Sequence, residues 1–81
     1  MTFSLFERVV LTEDLLVEGL KAGDVGVIVE HYLAQEGVPE GYEVEFFSAS
    51  GDTIAVVSVP ANSLRKATAR DMLSVRELVQ V

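Results

Sequence analysis

The stretch KAGDVGVIVEHY, residues 21–32, decides the fold class of this chain. Gly23 and Gly26 stand three residues apart, and a β-branched run follows the second glycine. A phosphate-binding loop needs glycines that lead into a helix N-terminus, where backbone N–H groups converge on the ligand. Here Gly26 leads into a strand-like run, and the carboxylate of Asp24 repels a phosphate. The pattern therefore predicts that Gly23 supplies a turn with positive φ, and that Gly26 forms a bulge or a close crossing of two strands.

Alternating side chains predict the two central strands. Residues 25–33 direct Val25, Val27 and Val29 to one face, and Gly26, Ile28 and Glu30 to the other. Residues 42–48 direct Tyr42, Val44 and Phe46 to one face, and Glu43, Glu45 and Phe47 to the other. An apolar face opposite a charged face is typical of a half-buried antiparallel strand.

Shorter signals place the remaining elements. Residues 6–12 predict a first strand, with Phe6 on the same face as the residues two and four further on. Residues 13–24 predict a long first loop, because glycines interrupt any helical period, and Leu15, Leu16 and Leu20 can pack on the core. The later elements are a hairpin turn at 49–52, a strand at 53–59 ended by proline, a 3₁₀ turn at 60–63 and a last strand at 64–67.

Five short strands in this order are typical of an SH3-like barrel. The sequence therefore predicts an all-β chain: a small five-stranded SH3-like barrel over residues 1–67, followed by a short C-terminal helical or extended tail over residues 68–81. Within the tail, Met72, Val75 and Val79 have helical spacing, and Thr68 or Ser74 can cap a helix. The same residues also alternate as in a strand. We favour a short helix.

Composition limits the class of protein. The 81 residues include no cysteine, so no disulfide supports the domain. No apolar run is long enough to span a bilayer, and the first ten residues lack the basic leader of a signal peptide. We therefore expect a cytoplasmic protein. A hydrophobic content of 49% is high for so small a domain and predicts a protein-binding or oligomeric face. The tail supplies the expected oligomer contacts: Met72, Val75, Leu78 and Val79.

The net charge of −7 is spread unevenly. Residues 1–63 hold eleven acidic and two basic residues, whereas residues 64–81 hold two acidic and four basic residues. An acidic body disfavours nucleic acid, because a phosphate backbone requires several Lys or Arg on one face. It favours a basic protein partner. The expected partner-binding residues lie on the third strand and in the first loop: Glu13, Asp14, Glu18, Glu43, Glu45 and Phe47.

The sequence offers little for catalysis or metal binding. His31 is the single histidine, so the common zinc sites of one chain are excluded, and a site shared across a dimer is the remaining alternative. The serines have no base near in sequence. Glu43 and Glu45 can in principle act as paired carboxylates, but such residues are more often solvated charges on a half-exposed strand. We predict no enzyme activity, no metal and no cofactor.

With these segments placed, the chain resembles the family called domain of unknown function 4926. The blocks that carry the resemblance are LFERVVLTEDL, GLKAGDVGVIVE, YEVEFFSASGDTIAVVSV and ANSLR, which together cover residues 5–66. The resemblance implies a small SH3-like barrel without established catalytic residues. It also implies an accessory or partner-binding role, such as an antitoxin or immunity protein. Members usually stop soon after the LR block, so the tail departs from the family.

The Gly-x-x-Gly start followed by valines is also similar to the KOW motif of ribosomal and transcription proteins. KOW modules that bind RNA carry basic residues at this turn, whereas this chain carries Asp24. We therefore expect a non-catalytic protein-interaction module, an antitoxin, immunity or assembly partner that binds a basic protein. The alternative is a KOW-like nucleic-acid or ribosome-associated module that uses the basic residues between Arg65 and Arg76.

Overall fold

The computed structural model describes residues 2–78. It confirms an all-β chain of five antiparallel strands in one sheet. In chain order the strands are β1 (Arg8–Leu11), β2 (Val25–Tyr32), β3 (Gly41–Phe47), β4 (Thr53–Pro60) and β5 (Leu64–Lys66). Two 3₁₀ turns lie between them, at Leu16–Glu18 and Ala61–Ser63.

The strands follow the order β4-β3-β2-β1-β5 across the sheet. Each sequential pair from β1 to β4 is antiparallel, and β5 returns to pair with β1. This order is compatible with a closed barrel. Within residues 2–78 no ladder joins β4 to β5, so both strands lie at sheet edges. No helix in that range is long and apolar enough to cross a membrane.

The core is built from the alternation that the sequence shows. Tyr42, Val44 and Phe46 of β3 are all buried, while Glu43 and Glu45 between them are half-buried. Burying one face of each strand is the main stabilising contribution to such a small domain. The buried hydrophobic cluster comprises Phe3, Val9, Leu11, Leu20, Ile28, Tyr42, Val44, Phe46, Val59 and Leu64.

The two glycines of the opening stretch have different structural roles. Gly23 has a φ of +94°, as the predicted turn requires. Gly26 lies where β2 crosses β3 closely: a Cβ there would stand 2.5 Å from Val44 Cγ1 and 3.0 Å from the Glu45 carbonyl oxygen. The close crossing is confirmed. The irregularity in β2 lies elsewhere, between Ile28 and Glu30.

In the first loop, one of the three leucines expected to pack on the core is exposed instead. Leu15 and Leu20 form an isolated bridge, and both pack on the core as expected. Leu16 begins the 3₁₀ turn and is 79% exposed, so its predicted packing is wrong. The turn is closed by Gly19, whose left-handed φ of 72° returns the chain to Leu20. This tight closure brings Leu15 and Leu20 together and leaves Leu16 on the outside.

In the N-terminal segment, the predicted position of Phe6 in the first strand is wrong. Phe6 is not in a strand: its φ is +67° and it is 74% exposed. Its N–H donates to the Ile28 carbonyl at 2.6 Å, which turns the chain just before β1. Phe3 occupies the core instead, edge-to-face with Tyr42 at a ring-centroid distance of 5.1 Å. The Phe3 N–H also donates to the Tyr42 hydroxyl at 3.0 Å.

The described part of the tail, up to residue 78, forms no helix, so the favoured prediction is wrong there. From 67 to 78 the chain has neither helix nor strand. Asp71 accepts a hydrogen bond from the Thr68 N–H at 2.7 Å and two from Arg65, both at 2.9 Å. Further on, Arg76 donates to Asp24 and to the Gly19 carbonyl. These contacts tie the tail to the sheet and the first loop in an extended path.

The helix predicted from this spacing does not form, because the apolar side chains of the tail have no apolar surface to pack against. Met72 is 91% exposed, Val75 86% and Leu78 43%. A short helix is marginal without an apolar face to bury, and the turn at Thr68 competes with a helix start. Val79, the fourth expected oligomer contact, lies outside the described residues.

Candidate functional site

Three glutamates lie together on the outer face of β2 and β3. Alternation along β3 directs Glu43 and Glu45 outward, and both are half-buried. The strand register places Glu30 of β2 directly opposite Glu43. We call Glu30, Glu43 and Glu45, with the neighbouring aromatic residues Tyr32 and Phe47, the acidic face. Phe47 is 42% exposed and Tyr32 43%.

Hydroxyl groups, not cations, hold the β3 carboxylates. Tyr32 donates to Glu43 at 2.7 Å, and Ser58 donates to its other oxygen at 3.1 Å. Thr53 donates to Glu45 at 2.6 Å. None of the ion pairs among residues 2–78 includes a glutamate of the acidic face. Neutral donors orient these carboxylates and leave their charges uncompensated.

The register makes this arrangement electrostatically unfavourable. Opposite charges that face each other on neighbouring strands stabilise a sheet by about 0.2–1 kcal/mol. Like charges in the same position destabilise it by a similar amount. Glu30 and Glu43 are such a pair. A cation placed over the face would remove this repulsion.

The loop acids form a separate group. Glu13 accepts a hydrogen bond from the buried Ser63 hydroxyl at 3.0 Å, and Asp14 accepts one from the Ala22 N–H at 2.8 Å. Glu18 is exposed in the 3₁₀ turn. These bonds lead to the 3₁₀ turn before β5 and to the end of the first loop, whereas those of Glu43 and Glu45 lead to β2 and β4. Of the six predicted binding residues, the three on β3 share one face of the sheet, and no hydrogen bond among residues 2–78 joins the loop acids Glu13 and Asp14 to them.

Two residues of the tail, Asp71 and Arg76, form ion pairs with residues of β5 and of the first loop. Hydrogen bonding to Asp24 raises the pKa of Arg76. The Arg65 guanidinium, followed by the Thr68 backbone N–H, holds the pKa of Asp71 well below its usual range. Arg76 thus neutralises Asp24 and makes the loop side less negative than its sequence indicates, whereas the Arg65–Asp71 pair joins the tail to β5.

Tyr32 provides a direct test of the acidic face. Its hydrogen bond to Glu43, followed by desolvation and by the Glu43 and Glu30 charges, raises the pKa of Tyr32 above its ordinary value. Because the folded pKa is raised, the hydrogen bond contributes fully to folding stability at pH values below the ordinary tyrosine pKa. This contribution is lost as the pH rises through the higher folded pKa. We expect an absorbance titration of the phenolate to show this late ionisation.

The matched variants are Glu43→Gln and Glu45→Gln. Glu43→Gln should lower the pKa of Tyr32 towards its ordinary value, because the donor loses its anionic acceptor. Glu45→Gln removes an equal charge, but Glu45 is hydrogen-bonded to Thr53. It should leave the titration nearly unchanged. Identical curves for wild type and Glu43→Gln would contradict the contact.

The single histidine packs on the core side of the sheet, opposite the acidic face. His31 Nε2 lies 2.6 Å from Glu40 Oε2, and its ring stacks on Tyr42 at 4.6 Å with an interplanar angle of 11°. In the part of the chain that the structure describes, no group of three His, Cys, Asp or Glu side chains is arranged to hold a metal ion.

A family model described as Domain of unknown function (DUF4926) matches residues 5–66. The chain belongs to the DUF4926 family. The match covers every strand from β1 to β5 and ends at Lys66, the last residue of β5. It is the same range over which the sequence resembles the family. No curated protein and no solved structure matches the chain significantly.

The DUF4926 match includes the acidic face and leaves the tail beyond it. The acidic face lies entirely within the matched residues, on β2 and β3. Asp71 and Arg76, which hold the tail, lie beyond the match. In this chain the acidic face therefore lies within the matched domain, whereas the residues that hold the tail lie outside it.

Proposed function

We propose that this DUF4926 chain is a non-catalytic, cytoplasmic protein-interaction module that binds a basic protein through the acidic face. An antitoxin, immunity or assembly role fits such a module. The observation that carries the proposal is the pair of half-buried carboxylates, Glu43 and Glu45, held by hydroxyl groups beside Glu30. Carboxylates that are oriented in advance bind an arginine or lysine with less loss of side-chain freedom.

The surroundings of the carboxylates support a protein partner. Phe47 and Tyr32 are partly exposed at the acidic face, and Val56 of β4, opposite Glu45, is 53% exposed. Aromatic residues are enriched at protein interfaces, where they bury large areas and keep a polar end. A charged centre with apolar neighbours favours a basic protein surface over a free cation.

The charge distribution argues against the nucleic-acid alternative. That alternative requires the basic residues from Arg65 to Arg76 as the contact. Arg65 pairs with Asp71, Lys66 with Glu7 at 3.6 Å, and Arg76 with Asp24. At three of the four basic residues of this stretch, all except Arg70, phosphate binding would have to compete with these acids. We therefore favour the protein partner.

The experiment is affinity capture from the native host followed by mass spectrometry. Wild type should recover a basic protein, and the double variant Glu43→Gln/Glu45→Gln should lose it because the anchoring charges are gone. At an interface, removal of charges from a bound cation typically weakens binding by about 2–5 kcal/mol, which is more than tenfold.

The matched control is Glu36→Gln/Glu77→Gln. It removes the same two charges from exposed residues in the β2–β3 loop and the tail. It should retain the partner. Equal loss by both double variants would indicate a net-charge effect and would contradict a specific acidic face. Failure of wild type to recover any partner would contradict the proposed function itself.

A further inference from the structure

Strand β4 presents an unpaired edge. It stands at the end of the sheet order, and β3 is its ladder partner. Among residues 2–78, no backbone hydrogen bond joins its opposite edge to another segment. An edge strand of this kind is a template for pairing with another chain.

The backbone pattern shows which groups point outward. Past the end of β4, the Ala61 N–H donates to the Glu40 carbonyl at 2.9 Å, and these two residues continue the β3–β4 register. Hydrogen-bonded and non-hydrogen-bonded pairs alternate along an antiparallel ladder. The backbone groups of Val57 therefore face β3, and those of Val56 and Ser58 face away from the sheet.

The sequence leaves this edge without the usual protection. Proteins shield exposed edges with charged residues, with proline, or with short strands. The other edge, β5, has three residues, and two of them are Arg65 and Lys66. By contrast, no residue from Thr53 to Leu64 is charged, and β4 has eight residues. Pro60 blocks its last position, and the register irregularity at Ile54 disturbs its beginning, so the regular edge runs from Ala55 to Val59.

We propose that β4 pairs antiparallel with β4 of a second copy of this chain, across a two-fold axis at Val56. In this register Val56 lies opposite Val56 of the second copy, and Ala55 lies opposite Val57 on both sides of the axis, within the regular part of β4. Cross-strand pairs of β-branched residues are stabilising, and no charged residue meets another. Asp52 lies opposite Pro60, where the missing N–H ends the ladder.

The occupant is a second copy because the edge is complementary to itself. A two-fold interface brings the same patch of both chains together, so an uncharged strand with a β-branched centre matches its own sequence. The glutamates do not oppose this pairing. The two β3 strands would stand three strand spacings apart, about 14 Å, which exceeds the screening length of about 8 Å at physiological salt. The proposal rests on the sheet edge and is independent of the proposed function.

The test is the mass of the full chain by light scattering over a wide concentration range. Wild type should approach the dimer mass as concentration rises. Val56→Lys should raise the dimer Kd by about tenfold or more, since two lysines would face each other at the axis and 1.4 kcal/mol corresponds to tenfold. Val56 is 53% exposed, so the variant should fold, which circular dichroism checks.

Two controls identify the surface. Val17→Lys changes a valine that is 95% exposed in the first loop, and it should dimerise like wild type. Met72→Lys/Val75→Lys tests the tail, the oligomer surface that the sequence predicts, and it should also dimerise. Hydrogen exchange at the Val56 amide should slow as the dimer forms. A monomeric wild type at the highest soluble concentration would overturn the proposal, and so would a dimer lost through the tail variant but kept by Val56→Lys.

Discussion

Replacement of Tyr42 by alanine should lower the free energy of unfolding by about 3–5 kcal/mol, the range for deletion of a buried aromatic ring. Tyr42 is fully buried, and its ring contacts Phe3 on one side and stacks on His31 on another. Small domains have about 5–15 kcal/mol of stability in all. Urea denaturation should show the unfolding midpoint of Tyr42→Ala at a much lower urea concentration than that of the wild type.

The variant Tyr42→Phe separates the contribution of the hydroxyl group from that of the buried ring. It keeps the ring but removes the acceptor of the Phe3 N–H, which lies in the buried core. An unsatisfied buried donor costs about 1–3 kcal/mol. We expect a loss of stability in that range, together with faster hydrogen exchange at the Phe3 amide. A Tyr42→Phe variant as stable as wild type would show that the hydroxyl does not anchor the N-terminal segment.

Gly26→Ala should lower the free energy of unfolding by about 1–3 kcal/mol, the usual cost of overpacking a core. The new methyl group would stand 2.5 Å from Val44 Cγ1 and 3.0 Å from the backbone oxygen of Glu45. Backbone cannot move aside as a flexible side chain does. Thermal or chemical denaturation measures the loss.

The control is Gly37→Asn in the β2–β3 loop. Gly37 has a positive φ of 79° but no atom within 4 Å of an added Cβ. Asparagine tolerates the left-handed region, so only a small loss is expected there. A loss at Gly26 no larger than that at Gly37 would contradict the close crossing of β2 and β3.

The fold was largely predictable because its signals are local. Alternation in residues 42–48 identified β3 and its buried face, and the glycine in the turn at 49–52 has the expected positive φ, +93° at Gly51. The errors arose where distant residues decide the outcome. Phe3, rather than Phe6, packs against Tyr42, and Arg76 reaches Asp24 rather than joining a helix. No short-range period encodes those contacts.

The site was only partly predictable for a related reason. Glu43 and Glu45 follow from alternation alone. Simple alternation along residues 25–33 places Glu30 on the face of Gly26 and Ile28. The irregularity between Ile28 and Glu30 brings it opposite Glu43 on the acidic face instead. A one-residue shift of register reverses the direction of every later side chain in a strand. The hydrogen bond from Tyr32 to Glu43 depends on the same shift.

The return of β5 to β1 affects how the chain reaches this structure. The hairpins β2–β3 and β3–β4 join neighbours in sequence, whereas the β1–β5 ladder joins Val9 to Lys66, from opposite ends of the domain. Closing so long a loop loses chain entropy before the contacts form, and non-local strand pairing is the slow step in β proteins. We therefore expect the central hairpins to form early and the three-residue β5 to pair last, once the whole domain is present.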